Sequence, residues 1–150
     1  MSADYKQLEA FGKNLERLNM EQRHQFLEEA CKELAARLLA KVIKRTPVGV
    51  YSNGVTGGTL RRGWTASKST NAKAYVDSLA ISHIGTTYKI EITNPVEYGS
   101  YVEYGHRTAN QSGWVKGHFM LTISEQEINQ SKEGILQKKL KRYLKEVLEE

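Results

Sequence analysis

The strongest constraint on the fold is an apolar pattern that repeats every three or four residues and then meets a proline. Pro47 disfavours the α conformation at Thr46 and lacks an amide hydrogen, so a helix must end before it. Asn19 and Gln22 have the spacing of a capping box at a helix start. We therefore predict a helical block from about Asp4 to Arg45, broken near Asn19. Its apolar face carries Leu27, Ala30, Cys31, Leu34, Leu38, Val42 and Ile43.

A second helical pattern begins near His118 and continues close to the end of the chain. Gly134 lies inside this pattern, which predicts a bend or break there. The chain between the two blocks is expected to form strands, because β-branched and aromatic residues cluster in it. The three predicted strands are Leu60–Ser67, Tyr75–Ile84 and Thr87–Thr93.

The last predicted strand is the clearest, because Tyr88, Ile90 and Ile92 alternate with polar residues and so define one buried face and one wet face. Asn94 and Pro95 end it with a turn. Two glycine-bearing loops are predicted as well, one over Val48–Thr59 and one over His106–Gly117.

A tyrosine-rich segment between these loops predicts a single short helix. Tyr98, Tyr101 and Val102 share a helical face, and Gly105 can end the helix with a left-handed conformation. We expect Tyr98, Tyr101 and Tyr104 to pack this helix on the sheet, with intersubunit contact as the alternative.

The chain has 150 residues, 39% of them hydrophobic and 26% charged, which indicates one globular domain spanning residues 1–150. No apolar run approaches the length of a membrane span, and the N-terminus lacks the basic and apolar regions of a signal peptide. A single cysteine, Cys31, excludes an internal disulfide. Because Cys31 lies in the apolar stripe, we expect a structural thiol in a protein made in a cytoplasm.

No pattern in the sequence predicts catalysis. The four histidines (His24, His83, His106 and His118) lack the spacing of a zinc site, and phosphate-binding or nucleophile motifs are missing from the sequence. Glu97 and Glu103 are carboxylates six residues apart with no evident acid–base environment. We therefore predict no enzyme activity, no catalytic residues, no metal site and no cofactor.

The charge distribution is uneven along the chain. The net charge is +5, and no acidic residue occurs between Glu33 and Asp77. A solvated surface explains such a stretch, and so does contact with a polyanion or an acidic protein. The candidate DNA-facing residues are Lys41, Lys44, Arg45 and Lys68.

Three segments, taken in order, resemble a known family. They read KRTPVGVYSNGVTGGTLRRGW, ITNPVEYGSYVEYGHRT and GWVKGHFM. Together they are similar to the phage neck or head–tail joining minor structural proteins, the gene-product-ten-like family of lambdoid phages and related prophages. Many relatives have a shorter first loop, which is expanded here by VYSNGVTGG.

The resemblance implies an α+β fold, in which a long N-terminal helix and a C-terminal helix pack on a small antiparallel β-sheet with the short tyrosine-rich helix between them. It implies a non-enzymatic structural protein that is assembled in the host cytoplasm and then resides in the virion. It further implies a homo-oligomeric ring around the DNA path, in contact with other phage neck, head-closure and tail proteins. Alternatives are a tail-terminator or minor tail subunit, and an accessory protein that binds nucleic acid non-specifically.

Long cations beside glycine-bearing loops are seldom core residues, so these loops are expected to supply partner contacts. Leu60 and Trp64 are instead core candidates. The expected contact residues are Arg61, Arg62, Gly57, Gly58, His106, Arg107 and Trp114.

Overall fold

A computed structural model of the protein describes residues 2–49, 57–85 and 87–148. Most of the predicted loop over Val48–Thr59 therefore lies outside the described residues. The helices are α1 (Ser2–Glu16), α2 (Met20–Arg45), α3 (Thr59–Gly63), α4 (Ala72–Asp77), α5 (Gly99–Tyr104) and α6 (Met120–Leu148). The strands are β1 (Ser82–Ile84), β2 (Thr87–Lys89), β3 (Gly105–Arg107) and β4 (Trp114–Lys116).

The predicted break near Asn19 is confirmed. Asn19 caps α2 by accepting a hydrogen bond from the Gln22 amide at 2.8 Å, and the Gln22 side chain accepts one from the Asn19 amide at 3.1 Å. At its other end α2 stops at Arg45, before Pro47. Both helix boundaries thus follow from local chemistry that the sequence displays.

The two long helices, α2 and α6, run antiparallel and form the body of the molecule. Gln25 near the start of α2 accepts a hydrogen bond from Tyr143 near the end of α6, whereas Arg45 at the end of α2 donates to Ser124 near the start of α6. Helix α1 packs against the same end of α6 through Phe11 and Leu15, which lie against the buried cluster that contains Leu140. Helix α6 continues through Gly134 as one element, so the predicted break is absent.

A second apolar cluster lies at the other end of α2. The segments that supply it differ from the first two predicted strands. Leu60–Ser67 contains α3 followed by turns, and Tyr75–Ile84 contains the end of α4 and then β1. Leu60 and Trp64 both face the core, as predicted. They are four residues apart, which is the spacing of a helix rather than of the predicted strand. Asn71 starts α4 by accepting a hydrogen bond from the Ala74 amide at 2.7 Å. The short helices α3 and α4 therefore occupy segments that were predicted to be strands from their β-forming residues.

Strands β1 and β2 form an antiparallel pair in which His83 lies opposite Tyr88. The predicted strand Thr87–Thr93 is shortened to Thr87–Lys89, but the alternation of half-buried and exposed side chains continues through residue 93. The prediction of one buried and one exposed face was therefore right for residues 87–93, although only Thr87–Lys89 forms strand hydrogen bonds with β1. The buried side of this segment, Ile90 and Ile92, packs on the second cluster.

Strands β3 and β4 form a second antiparallel pair, in which Arg107 lies opposite Trp114. The predicted loop over His106–Gly117 is thus a hairpin, because paired strands flank its glycine-bearing tip. Helix α5 precedes it, and Gly105 between them has a positive φ of 90° with an extended ψ of 174° rather than the predicted left-handed helical conformation. The α+β class is confirmed, with mostly helical architecture and two small antiparallel sheets.

Candidate contact surface

Thr46, the residue directly after α2, connects α2 with α3 through hydrogen bonds. Its hydroxyl donates to the Val42 carbonyl at 2.7 Å and accepts from the indole nitrogen of Trp64 at 2.8 Å. Its carbonyl accepts from Arg61 Nε at 3.0 Å and from Arg61 Nη2 at 2.6 Å. Arg61 therefore satisfies a carbonyl just past the end of α2, and its guanidinium is held within its own chain.

The neighbouring residue Arg62 behaves differently, since its side chain is exposed. Its Nη1 donates to the Gly57 carbonyl at 2.9 Å. Gly58 has φ of 94° and precedes the first residue of α3, so this position suits glycine. A side chain on Gly57 would collide with the carbonyl of Gly49. Gly57, Gly58 and Arg62 thus lie together at the start of α3.

Helix α3 is joined to the segment after β2 by Asn94. The Asn94 side chain donates to the Leu60 carbonyl at 2.7 Å and accepts from the Val96 amide at 3.1 Å. A side chain on the buried Gly63 would overlap Asn94. The glycine and the asparagine of two distant motif segments are therefore complementary parts of one joint.

Glu103 is buried, although the sequence gave no acid–base role for it. Its carboxylate accepts hydrogen bonds from the Leu121 amide at 2.9 Å, the Thr122 amide at 2.9 Å and the Thr122 hydroxyl at 2.7 Å. It therefore caps the N-terminus of α6, where unpaired amides and the helix dipole favour a negative charge. The sequence alone gave little sign of this contact, because the capping residue lies on another element, outside the local motif.

The hairpin crosses the chain at two glycines. A side chain on Gly105 would collide with the Val115 carbonyl, and one on Gly117 would collide with the Glu103 carbonyl. Two backbone hydrogen bonds fix the crossing, from the His118 amide to Val102 at 2.7 Å and from the Phe119 amide to Glu103 at 2.9 Å. The hairpin is thus held firmly against α5 and the start of α6.

We use the name aromatic face for the large exposed side chains that α5 and the hairpin carry around this crossing. Tyr101 is 59% exposed and Trp114 is 63% exposed. The prediction that the tyrosines pack on the sheet is wrong, because α5 buries Glu103 and half-buries Val102 while its tyrosines face outward. The aromatic face consists of Tyr98, Tyr101, Tyr104, Trp114 and Val115.

Among the predicted contact residues of the second loop, Trp114 belongs to the aromatic face, and His106 and Arg107 lie next to it on β3. The His106 ring lies 5.4 Å from the Tyr101 ring between centroids. Arg107 is exposed and pairs with Trp114 across the hairpin. The structure therefore places His106, Arg107 and Trp114 on one hairpin beside α5, and places Arg61, Arg62, Gly57 and Gly58 at the α3 joint instead.

Two of the four candidate DNA-facing residues form ion pairs with Glu127, and the other two do not. Lys41 Nζ lies 3.0 Å from Glu127 Oε1, and Arg45 donates to Glu127 Oε2. The hydrogen bonds from Arg45 and then Lys41 lower the pKa of Glu127 to about 2. Lys44 and Lys68 are exposed and pair with no acidic group in the described ranges. The structure thus gives two of these four cations a carboxylate partner within the protein.

His24 on α2 and His83 on β1 are far apart in sequence, but their rings lie close together. His24 Nδ1 lies 2.5 Å from the Tyr88 hydroxyl oxygen, and His24 Nε2 lies 3.3 Å from Glu28. The His83 ring lies 4.8 Å from that of His24 between centroids. The cluster connects the β1–β2 hairpin to α2, and residues 2–49, 57–85 and 87–148 contain no His, Cys, Asp and Glu group suited to a metal ion.

Cys31 is half-buried on α2. Burial raises the pKa of its thiol, while a hydrogen bond from the Ile90 backbone opposes that shift. This environment disfavours the thiolate and agrees with the structural role expected from the sequence.

Comparison with protein-family models identifies the chain. Residues 9–105 match the model described as "Bacteriophage HK97-gp10, putative tail-component". The chain belongs to the HK97-gp10-like family. The resemblance inferred from the three segments is confirmed, and the matched range contains the first two segments up to Gly105.

The HK97-gp10-like family is a family of phage tail components, so the protein is a phage structural protein of the virion, of a generally non-enzymatic kind. Such a component contacts other phage structural proteins. Comparison with curated proteins and with solved structures finds no match. None of the described helices combines the length and apolar character needed to cross a membrane.

Proposed function

We propose that this tail component acts at the neck of the phage, where it joins the head to the tail or completes the tail, as a homo-oligomeric ring. The supporting observation is the aromatic face, which gathers large exposed aromatic side chains on a firmly held crossing of α5 and the hairpin. Aromatic residues with arginine are enriched at protein interfaces, and large exposed apolar patches on soluble proteins mark interaction sites.

The aromatic face is suited to contact because its scaffold is already ordered. Glu103 fixes α5 to α6, and the Gly105–Gly117 crossing fixes the hairpin to both. A rigid aromatic surface loses little conformational entropy when it binds, so more of its buried area contributes to affinity. We assign the face to a neighbouring subunit or adjoining phage protein, with His106 and Arg107 at its rim.

Arg62, Gly57 and Gly58 form a second proposed contact at the start of α3. The exposed guanidinium of Arg62 supports this assignment, whereas Arg61 is assigned to holding α2 and α3 together. We also propose that residues 1–150 form one domain. The long helices α2 and α6 contribute to both apolar clusters, which supports a single unit.

The test is electron microscopy of particles from a lysate in which the gene is disabled and complemented by variants. Without the gene, we expect DNA-filled heads and finished tails lying apart. The double variant Tyr101→Ser and Trp114→Ser should fail to restore joined particles, because two large exposed side chains of the aromatic face are removed.

The matched control is Ile84→Ser, since Ile84 is 88% exposed on β1 and lies outside the aromatic face. This variant should restore joined particles. Joined particles with the double variant would refute the contact surface, and joined particles without the gene would refute the neck role. Tails of abnormal length would instead indicate a tail-terminator role.

A further inference from the structure

The C-terminal half of α6 carries a row of cations at helical spacing. Lys138, Lys141, Arg142 and Lys145 follow each other by three, one and three residues, so they lie on one face of the helix. All four side chains are exposed. We term this set the basic stripe.

The basic stripe lies on the side of α6 that points away from the core. The opposite side carries Leu136, Leu140 and Leu144, which pack with α1 and α2. Packing therefore fixes the orientation of the helix and presents the four cations to solvent together.

The four cations have no acidic partner among the described residues. Lys139, which is next to the stripe, pairs with Glu33 at 3.8 Å, but no ion pair within residues 2–49, 57–85 and 87–148 includes a member of the stripe. Glu146 follows Arg142 by one helical turn without forming an ion pair with it. The stripe thus retains its positive charge, in contrast to Lys41 and Arg45, which are paired with Glu127.

A cleft beside the stripe adds one more cation from α2. It has a volume of about 320 Å³ and is lined by Arg37 together with Lys138 and Arg142. Arg37 lies 3.5 Å from Glu33, so its charge is partly compensated. The basic surface consequently extends from α6 toward α2, but the cations without an acidic partner are those of the stripe.

The chemistry of the stripe favours a nucleic acid over a protein. Interface centres in protein complexes carry aromatic and apolar anchors and are depleted in lysine, whereas this row contains only cations. From Lys138 to Lys145 the helix rises about 10 Å. Phosphates of one DNA strand follow each other at about 3.4 Å along the axis, so the row has the length of about three phosphates.

We propose that the basic stripe binds the phosphate backbone of duplex DNA without sequence preference. This inference does not depend on the role of the aromatic face, which lies near the opposite end of α6. The DNA contact is electrostatic, and it therefore weakens as salt increases.

The experiment measures binding of the full chain to a fluorescently labelled DNA duplex by anisotropy over a series of salt concentrations. One variant combines Lys138→Gln, Lys141→Gln, Arg142→Gln and Lys145→Gln. For the loss of three phosphate contacts, the slope of log affinity against log salt should become shallower by about 2.7. Glutamine has a helix propensity close to that of lysine and arginine, so α6 should be retained, as circular dichroism would verify.

The charge-matched control combines Lys13→Gln, Lys73→Gln, Lys89→Gln and Lys116→Gln, four exposed lysines outside both the stripe and the candidate DNA-facing set, and lowers the net charge by the same four units. It should keep the slope of the unmodified protein. An equal loss in both variants would show that binding follows net charge and would overturn the stripe assignment.

Absence of binding by the unmodified protein at low salt would also overturn the proposal, as would capture by anionic lipid vesicles but not by DNA. Two half-variants, Lys138→Gln with Lys141→Gln and Arg142→Gln with Lys145→Gln, divide the stripe further. Each should produce part of the slope change, and no change in either would contradict the proposal even if the fourfold variant folded poorly.

Discussion

The two tryptophans of this protein occupy opposite kinds of environment. Trp64 is 6% exposed and donates its indole hydrogen to Thr46 at 2.8 Å, within the joint between α2 and α3. Trp114 is 63% exposed on β4 and belongs to the aromatic face. Each directly follows a glycine, and the preceding arginine lies two residues before Trp64 and seven residues before Trp114.

The two arginines near them differ in the same sense. Arg61 donates two hydrogen bonds to the Thr46 carbonyl, whereas Arg107 projects from the exposed hairpin. The α3 joint therefore uses its aromatic and cationic groups to hold the fold, while the aromatic face leaves them available. The same residue types are thus held inside the fold at the α3 joint and left exposed on the hairpin.

The largest expected effect separates the two tryptophans. Trp64→Ala should lower the free energy of unfolding by about 3–5 kcal/mol, because it leaves a cavity and removes the bond to Thr46. Trp114→Ala should change it by less than about 0.5 kcal/mol, as for an exposed residue. Urea unfolding of both variants measures the difference, and equal losses would contradict the distinction between joint and face.

A pair of glycine substitutions sharpens the comparison at smaller scale. Gly63→Ala should destabilise the protein by about 1–3 kcal/mol, because its methyl group would displace Asn94 from the α3 joint. Gly134→Ala places a methyl group in open space inside α6 and should stabilise the protein by up to about 1 kcal/mol. Thermal unfolding should show shifts of opposite sign. A gain for both variants would mean that the joint can open to accept a side chain.

The smallest effect concerns the ion pairs between α2 and α6. Because Arg45 and Lys41 hold the pKa of Glu127 at about 2, against an ordinary value of 4.5, the carboxylate stabilises the fold above that ordinary value. This stabilisation should be lost as the pH falls from about 4.5 toward 2. Glu127→Gln should therefore reduce stability at neutral pH, and the difference from the unmodified protein should disappear in acid.

The matched control for this prediction is Glu125→Gln, since Glu125 is exposed and forms no ion pair with a described residue. Its effect on stability should be nearly independent of pH. Unfolding in urea at several pH values measures both variants, and a constant difference for Glu127→Gln would refute the role of the ion pairs.

Much of the helical body could be predicted from the sequence. The break at Asn19 and the end of α2 before Pro47 depend on local rules, and both were confirmed. The apolar stripe was confirmed in part, because Ala30 and Val42 are buried but the buried Phe26 and Leu39 were not included in it. Leu60 and Trp64 were correctly predicted as core residues but assigned to a strand. Short segments with β-forming residues are ambiguous when burial rather than propensity decides their structure.

The candidate contact surface could be predicted only in part. His106, Arg107 and Trp114 were selected from the sequence, yet the tyrosines beside them were expected to be buried. Their exposure depends on the rotation of α5, which Glu103 fixes by capping α6. No local pattern reveals this contact, because eighteen residues separate Glu103 from Leu121.

The sequence by itself determined where α2 begins and ends and which family the chain belongs to, since helix caps and motif order are local or linear properties. Only the tertiary structure decided which cations are paired and which face solvent. Lys41 and Arg45 meet Glu127, Arg61 meets Thr46, and the basic stripe meets no described carboxylate. Charge pairing depends on distance in space, and the antiparallel packing of α2 and α6 sets that distance.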